Sequence, residues 1–207
     1  MTSISRCCAL LTVLATLLLT ACGGAQTPVP VRPTITATPA TPVAGEGPFL
    51  LPLTGGREYT AADAHYSVSV PSDWTSINAP PAEQTFVQPG SSDPGNGVTV
   101  NLVRERLGPT GITTARAYAE AARKRIGEVY QDVAPISFEP VQIGTHGAWR
   151  WTYTAKTSGA THYIYQLFVL DGAEGFVLTG VGPADTDQRA TQALFDSIAG
   201  SLTFVRG

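Results

Sequence analysis

The sequence predicts an α+β domain in which two helices interrupt a mostly antiparallel sheet. Residues 137–180 read as four strands of alternating apolar character, separated by turns at 144–147, 157–160 and 171–174. Connections this short favour an antiparallel meander. Two further segments, 113–131 and 185–197, carry apolar residues at helical spacing, and helices interrupting such a sheet make a layered domain. Residues 55–207 fit one domain, which at that length buries roughly 68–70% of the surface its unfolded chain exposes. No cysteine follows Cys22, so the domain is built without a disulfide or thiol chemistry and must be held by ordinary packing.

The chain opens with one charge, Arg6, then an apolar run over residues 9–19 and small residues before Cys22. That is the layout of a secretory signal. The run is shorter than the ~20 residues of a comfortable membrane span and ends in Gly23-Gly24 with no stop-transfer charges. Leu19-Thr20-Ala21-Cys22 resembles the lipobox of bacterial lipoproteins, which implies cleavage after residue 21 and acylation of Cys22. Two or three acyl chains hold a protein in a membrane without any span. Gly23 leaves the choice of membrane open. Residues 22–54 then form the lipidated cysteine and a linker, rich in Pro, Thr, Ala and Val from 26 to 52, with Arg32 and Glu46 as its only charges. Such a composition does not offset the entropy of ordering, so a disordered, polyproline-like spacer is expected, extending ~3.1 Å per residue.

Within the domain, residues 65–70 alternate and stop at Pro71, giving a first strand; Ser72-Asp73-Trp74 follows as a turn carrying an aromatic plug. A second strand is expected at 85–88, a loop over 89–97 and a third strand at 98–107. Thr113 or Thr114 caps the first helix, with Tyr118, Ala119, Ala122, Ile126, Val129, Tyr130 and Val133 along one stripe. Strands follow at 137–143, 148–156, 162–170 and 175–180. Asp185 or Thr186 opens the second helix, where Ala190, Leu194 and Ile198 are spaced by four beside Phe195, and a short strand at 201–205 closes the chain.

Tyr66-Ser67-Val68-Ser69-Val70-Pro71-Ser72-Asp73-Trp74 resembles the opening of the PsbP-like family, an aromatic, a strand, then Pro-x-x-Trp. The ending Phe195-Asp196-Ser197-Ile198-Ala199-Gly200-Ser201-Leu202-Thr203-Phe204 is similar to that family's terminal helix and strand. The resemblance covers residues 58–206 and implies an α/β/α sandwich around a curved antiparallel sheet. Family members include an extrinsic photosystem subunit, Ran-binding relatives and bacterial lipoproteins of unknown role. The photosystem subunit docks partly through its amino-terminal segment, a place taken here by the anchor and spacer, which argues against a photosynthetic role. A shared fold does not transfer an activity.

Candidate sites are few. His65, His146 and His162 lack companion ligands at metal spacing, and Asp171, Glu174, Asp185 and Asp187 do not form a calcium loop. The sequence carries no nucleophile elbow, phosphate-binding loop, dinucleotide fingerprint or zinc-protease motif, so neither a catalytic residue nor a cofactor is expected. Removing Arg6 leaves 12 basic against 16 acidic side chains, a balance of −4, which argues against nucleic acid. Arg123-Lys124-Arg125 sits on the first helix with Glu120 four residues before Lys124, the pattern of a solvated face. A three-residue turn after Thr157 would put Trp149, Trp151 and Tyr153 on one sheet face with Tyr163, Tyr165, Leu167 and Val169, Trp151 opposite Leu167 and Tyr153 opposite Tyr165. Covered by a helix this face is core; uncovered, it is a groove for an apolar ligand or a protein partner. The expectation is a non-catalytic lipoprotein on the extracytoplasmic face of a cell membrane, anchored through Cys22, that binds a protein or assists assembly at the envelope. A small-ligand carrier using Trp151, Tyr153 and Tyr165 is the first alternative and an unrecognised hydrolase the second.

Overall fold

A computed structural model describes residues 47–205 except 64, 91–96, 131 and 158. The signal, Cys22, the spacer up to 46 and most of the 89–97 loop lie outside the described residues.

Seven strands form the main sheet in the order β3-β4-β5-β9-β8-β7-β6, every pairing antiparallel. In chain order these are β3 (Thr75–Ile77), β4 (Gln84–Val87), β5 (Thr99–Arg106), β6 (Ala134–Ile143), β7 (His146–Thr157), β8 (Ala160–Asp171) and β9 (Glu174–Pro183). The meander expected from residue 137 onward is present, with β6 longer at its start and β7, β8 and β9 longer at both ends than their apolar cores suggest. β1 (Arg57–Thr60), β2 (Tyr66–Val70) and β10 (Thr203–Phe204) make a second, three-stranded sheet in the order β1-β2-β10. β1 and β3 carry little alternation and are mostly exposed; both exist because a neighbour supplies a ladder, a cause the local sequence does not carry.

Helix α1 (Ala115–Val129) starts where Thr114 Oγ1 accepts the Ala117 N–H at 3.1 Å. Helix α2 (Gln188–Gly200) is capped by Asp187, whose Oδ1 accepts the Arg189 and Ala190 N–H groups at 3.0 and 3.3 Å. The second cap falls at Asp187 rather than Asp185 or Thr186, because a carboxylate there reaches two orphan donors at once. α1 lies on one face of the main sheet, and α2 with the small sheet lies on the other, which is the α/β/α layering implied by the family resemblance.

The register decides which side chain belongs to which layer. Thr157 pairs with Ala160, so the β7–β8 connection is two residues long, with Gly159 at φ +89°. Trp151 therefore stands opposite Gln166 and Tyr153 opposite Ile164, not Leu167 and Tyr165 as a three-residue turn requires. A slip of one residue moves every side chain of a strand to the other face. Trp151 and Tyr153 consequently sit under α1 with Phe168, Tyr118 and Ile126. Tyr163, Tyr165, Leu167 and Val169 sit on the opposite face with Phe195 and Ile198 of α2 and Phe176 of β9.

The end of the segment read as spacer packs on the domain. Gln142 N–H donates to Pro48 O at 3.0 Å, Leu50 N–H to Gln142 O at 2.9 Å, and Leu53 N–H to Ser197 O at 2.9 Å. Leu50 is buried in the core, and Gly200 lies so close to the Leu50 and Leu51 carbonyls that a Cβ there would stand 2.7 Å from each oxygen. Residues 48–53 thus act as a strap across β6 and α2.

A basic and aromatic groove as the candidate functional site

Both aromatic faces of the meander are interior. Trp151, Tyr153 and Tyr165 are each no more than 2% exposed, so the three residues singled out by sequence are divided between two cores rather than gathered on an open surface. Trp151 stacks on Tyr153 with centroids 4.0 Å apart and planes 25° from parallel. On the α1 side a polar row crosses three strands below this stack: Tyr153 Oη donates to Gln166 Oε1 at 3.5 Å and Gln166 Nε2 donates to Thr179 Oγ1 at 3.4 Å. Burial pushes the Tyr153 phenol well up, which keeps it a hydrogen-bond donor.

On the α2 side the sheet holds a buried ion network that the sequence does not announce. Arg150 Nη1 donates to Asp196 Oδ2 at 2.6 Å and Nη2 to Glu139 Oε1 at 2.7 Å, while Tyr165 Oη donates to Asp196 Oδ1 at 2.9 Å. Burial by itself would lower the Arg150 guanidinium; the Asp196 and Glu139 hydrogen bonds outweigh it and hold the cation charged. Burial, then the Asp196 carboxylate, raises the Tyr165 phenol far above its ordinary value. The network ties β6, β7, β8 and α2 together and pairs both carboxylates with the guanidinium Nη atoms, while Arg150 Nε is buried without a partner among the described residues; its charges are matched within the fold, so it reads as structure.

A second cluster sits at the junction of the two sheets. Arg104 meets Asp63 at 2.6 Å, Glu83 at 2.8 Å and Glu174 at 3.8 Å, and its hydrogen bond holds the Asp63 carboxyl below the usual range. The acidic residues weighed for calcium are dispersed: Asp171 faces His146 at 3.4 Å, Glu174 lies by Arg104, and Asp187 caps α2. Among the described residues no group of three or more His, Cys, Asp or Glu is placed to hold a metal ion, and no helix is long and apolar enough to cross a membrane. His162 is buried in β8, and that burial lowers its pKa.

The surface with distinctive chemistry lies where α1 meets β6. Phe138 and Trp149, neighbours on adjacent strands, pack at 5.3 Å between centroids and 55° between planes. The Arg116 guanidinium stands over the Trp149 ring at 5.3 Å, and the Arg123 guanidinium over the Phe138 ring at 4.9 Å. Arg116, Glu120, Arg123, Lys124 and Phe138 line a groove of about 480 Å³. Glu120 is committed to Arg116 at 2.9 Å and not to Lys124, the partner suggested by its spacing. Among the described residues Arg123 and Lys124 have no carboxylate within ion-pair distance. The basic run is legible in the sequence but its aromatic floor is not, because Phe138 and Trp149 come from strands whose facing depends on the register.

The comparisons with known proteins agree at the level of fold. No protein-family model matches the chain, and no curated protein matches it. Solved structures do. The solution structure of cyanobacterial PsbP (CyanoP) from Synechocystis superposes with a TM-score of 0.58 at 12% identity, covering 81% of this chain and 100% of that one. LpqN of Mycobacterium tuberculosis, involved in cell envelope biogenesis, gives 0.52 at 15% identity, covering 73% of this chain and 86% of its own. The Ran-binding protein Mog1p of Saccharomyces cerevisiae gives 0.51 at 12% identity, covering 72% and 95% respectively. The chain has a PsbP-like fold.

Proposed function

We propose that the chain is an extracytoplasmic lipoprotein, anchored to a cell membrane through Cys22, whose PsbP-like domain is a non-catalytic binding or assembly module for a protein partner at the envelope. The observation that carries the binding role is the α1–β6 surface, where a chain of net charge −3 sets Arg116 and Arg123 over an aromatic pair beside Lys124, and where Arg123 and Lys124 are exposed with no carboxylate partner among the described residues. Arg and aromatic side chains are the residue types enriched in protein interfaces. Neighbours of the same fold support the reading in kind: one is Ran-binding and another is involved in cell envelope biogenesis. The lipobox and the Pro/Thr-rich spacer support the anchor. The ligand-carrier alternative needs an accessible aromatic face, which the burial of Trp151, Tyr153 and Tyr165 disfavours.

Two measurements test this reading. Wild-type chain should fractionate with membranes, and Cys22→Ser should be soluble or unprocessed; retention of Cys22→Ser in the membrane at unchanged mobility would overturn the anchor. Cross-linking of intact cells should join the tagged full chain to a reproducible envelope protein. Recovery of the chain alone, under conditions that cross-link known envelope complexes, would overturn the binding role.

A further inference from the structure

We propose that the end of β6 that no described strand covers and the basic groove of α1 together receive an extended acidic segment of the protein partner. This rests on the protein-binding reading above and specifies the chemistry of what is bound.

β6 is the last strand of the main sheet, paired only with β7 on its inner side. Gln142 uses its outward N–H and C=O on Pro48 and Leu50 of the strap. Strand geometry repeats every second residue, so the N–H and C=O of Phe138 and the C=O of Pro140, which as a proline has no N–H, face the same side. Gly47, the first described residue of the strap, sits so close to this edge that a Cβ would lie 2.2 Å from the Pro140 oxygen, at φ +129°. Beyond that point no described strand covers residues 134–138; a register shift between Pro135 and Ser137 sets Ile136 out of the ladder with β7, and its side chain is 50% exposed. An unpaired strand edge is a template for an added strand.

The flank of this edge selects the sequence of the added strand. Side chains that a guest strand turns toward α1 would meet Arg123, Lys124 and Arg116, of which the first two are exposed and lack carboxylate partners among the described residues. A guanidinium over an aromatic ring keeps its edge N–H groups available for a carboxylate. The surface fits a bilayer less well: α1 carries Glu120 and Glu128 among its four cations, whereas lipid-binding patches gather about four to eight cations without such interruption. A nucleic acid is opposed by the net charge of −3.

The test uses the full chain in its native cells. Ile136→Cys, labelled with a benzophenone maleimide, places a photo-cross-linker at the open edge; Arg189→Cys places the same probe on the exposed start of α2. The expected product from Ile136→Cys is a cross-link into a partner segment with several Asp or Glu at alternate positions. Adding Arg123→Glu and Lys124→Glu should cut its yield by about tenfold or more, while adding Arg189→Glu leaves it unchanged and all variants keep the wild-type melting temperature. Cross-linking into lipid, nucleic acid, the chain's own residues before Gly47, or a segment without acidic residues would overturn the proposal, as would a yield indifferent to charge reversal. Protein products from Arg189→Cys but none from Ile136→Cys would refute the groove and leave the protein-binding reading standing; none from either position would refute both.

Discussion

Arg150 is the most informative residue to perturb, because its network joins two strands to a helix through charges that are unequally buried. Its side chain is 8% exposed, against 22% for Asp196 and 42% for Glu139. Arg150→Met removes two charge-assisted hydrogen bonds. The Glu139 contact is discounted by solvent to under about 1 kcal/mol, the Asp196 contact contributes about 2 kcal/mol, and Asp196 keeps the Tyr165 hydroxyl, so the expected loss is about 2–3 kcal/mol. Asp196→Leu leaves the more deeply buried guanidinium with Glu139 alone and orphans the Tyr165 hydroxyl, for an expected loss of about 3–5 kcal/mol. The double variant removes both buried charges, so its loss should fall short of the sum by about 2 kcal/mol. Urea unfolding of chains lacking residues 1–22, followed by tryptophan fluorescence, reads these values; at a slope of about 1.5–2 kcal/mol per molar a 3 kcal/mol loss lowers the midpoint by about 1.5–2 M. Single losses that add to within about 0.5 kcal/mol would show that the charges do not act together and would refute the reasoning.

Other consequences of the packing are equally open to measurement. Gly180→Ala puts a Cβ 2.7 Å from the Phe195 ring, and the resulting overpacking should cost about 1–3 kcal/mol in urea unfolding; an unchanged midpoint would mean α2 shifts freely over β9. Gly200→Ala drives a Cβ against the Leu50 and Leu51 carbonyls, so hydrogen exchange should show selective loss of protection at Leu50 and Leu53 while the β8 amides stay protected. The folded His162 has a lowered pKa because it is buried, so the unfolded chain binds its proton first and stability should fall as pH drops below about 6.5. Burial raises the Glu105 carboxyl and acts in the opposite sense on acidification, although the Tyr118 hydrogen bond opposes that rise. The His162 contribution is therefore the pH dependence of the difference between wild type and His162→Gln, which should be flat above about pH 7 and move against the wild type on acidification; a pH-independent difference would contradict the assigned burial effect.

Much of the fold was legible because its causes are local. Alternation marked the meander strands, the pair Thr113 and Thr114 marked the start of α1, which Thr114 caps, and the apolar stripe of α1 identified the face that Tyr118, Ala119 and Ile126 bury. Ala190 is exposed despite its place in the α2 stripe, where Phe195, Ile198 and Ala199 supply the buried face instead. β1 and β3 were illegible because short exposed strands draw their stability from partners distant in sequence. The aromatic site was misplaced for a sharper reason: Trp151, Tyr153 and Tyr165 share a face only if the turn after Thr157 holds three residues, and it holds two.

The sequence by itself determined the α+β class, the two helices with their apolar faces, the absence of cysteine from the domain and the basic run on α1, because propensity, period and composition act over a few residues. Tertiary structure decided which aromatics lie in which layer, the Arg150–Asp196–Glu139 network, the strap over residues 48–53 and the pairing of Arg123 with Phe138. Each of these depends on strand register or on helix docking, which are fixed by the fit of whole surfaces; a single residue in one turn was enough to exchange the faces of the sheet.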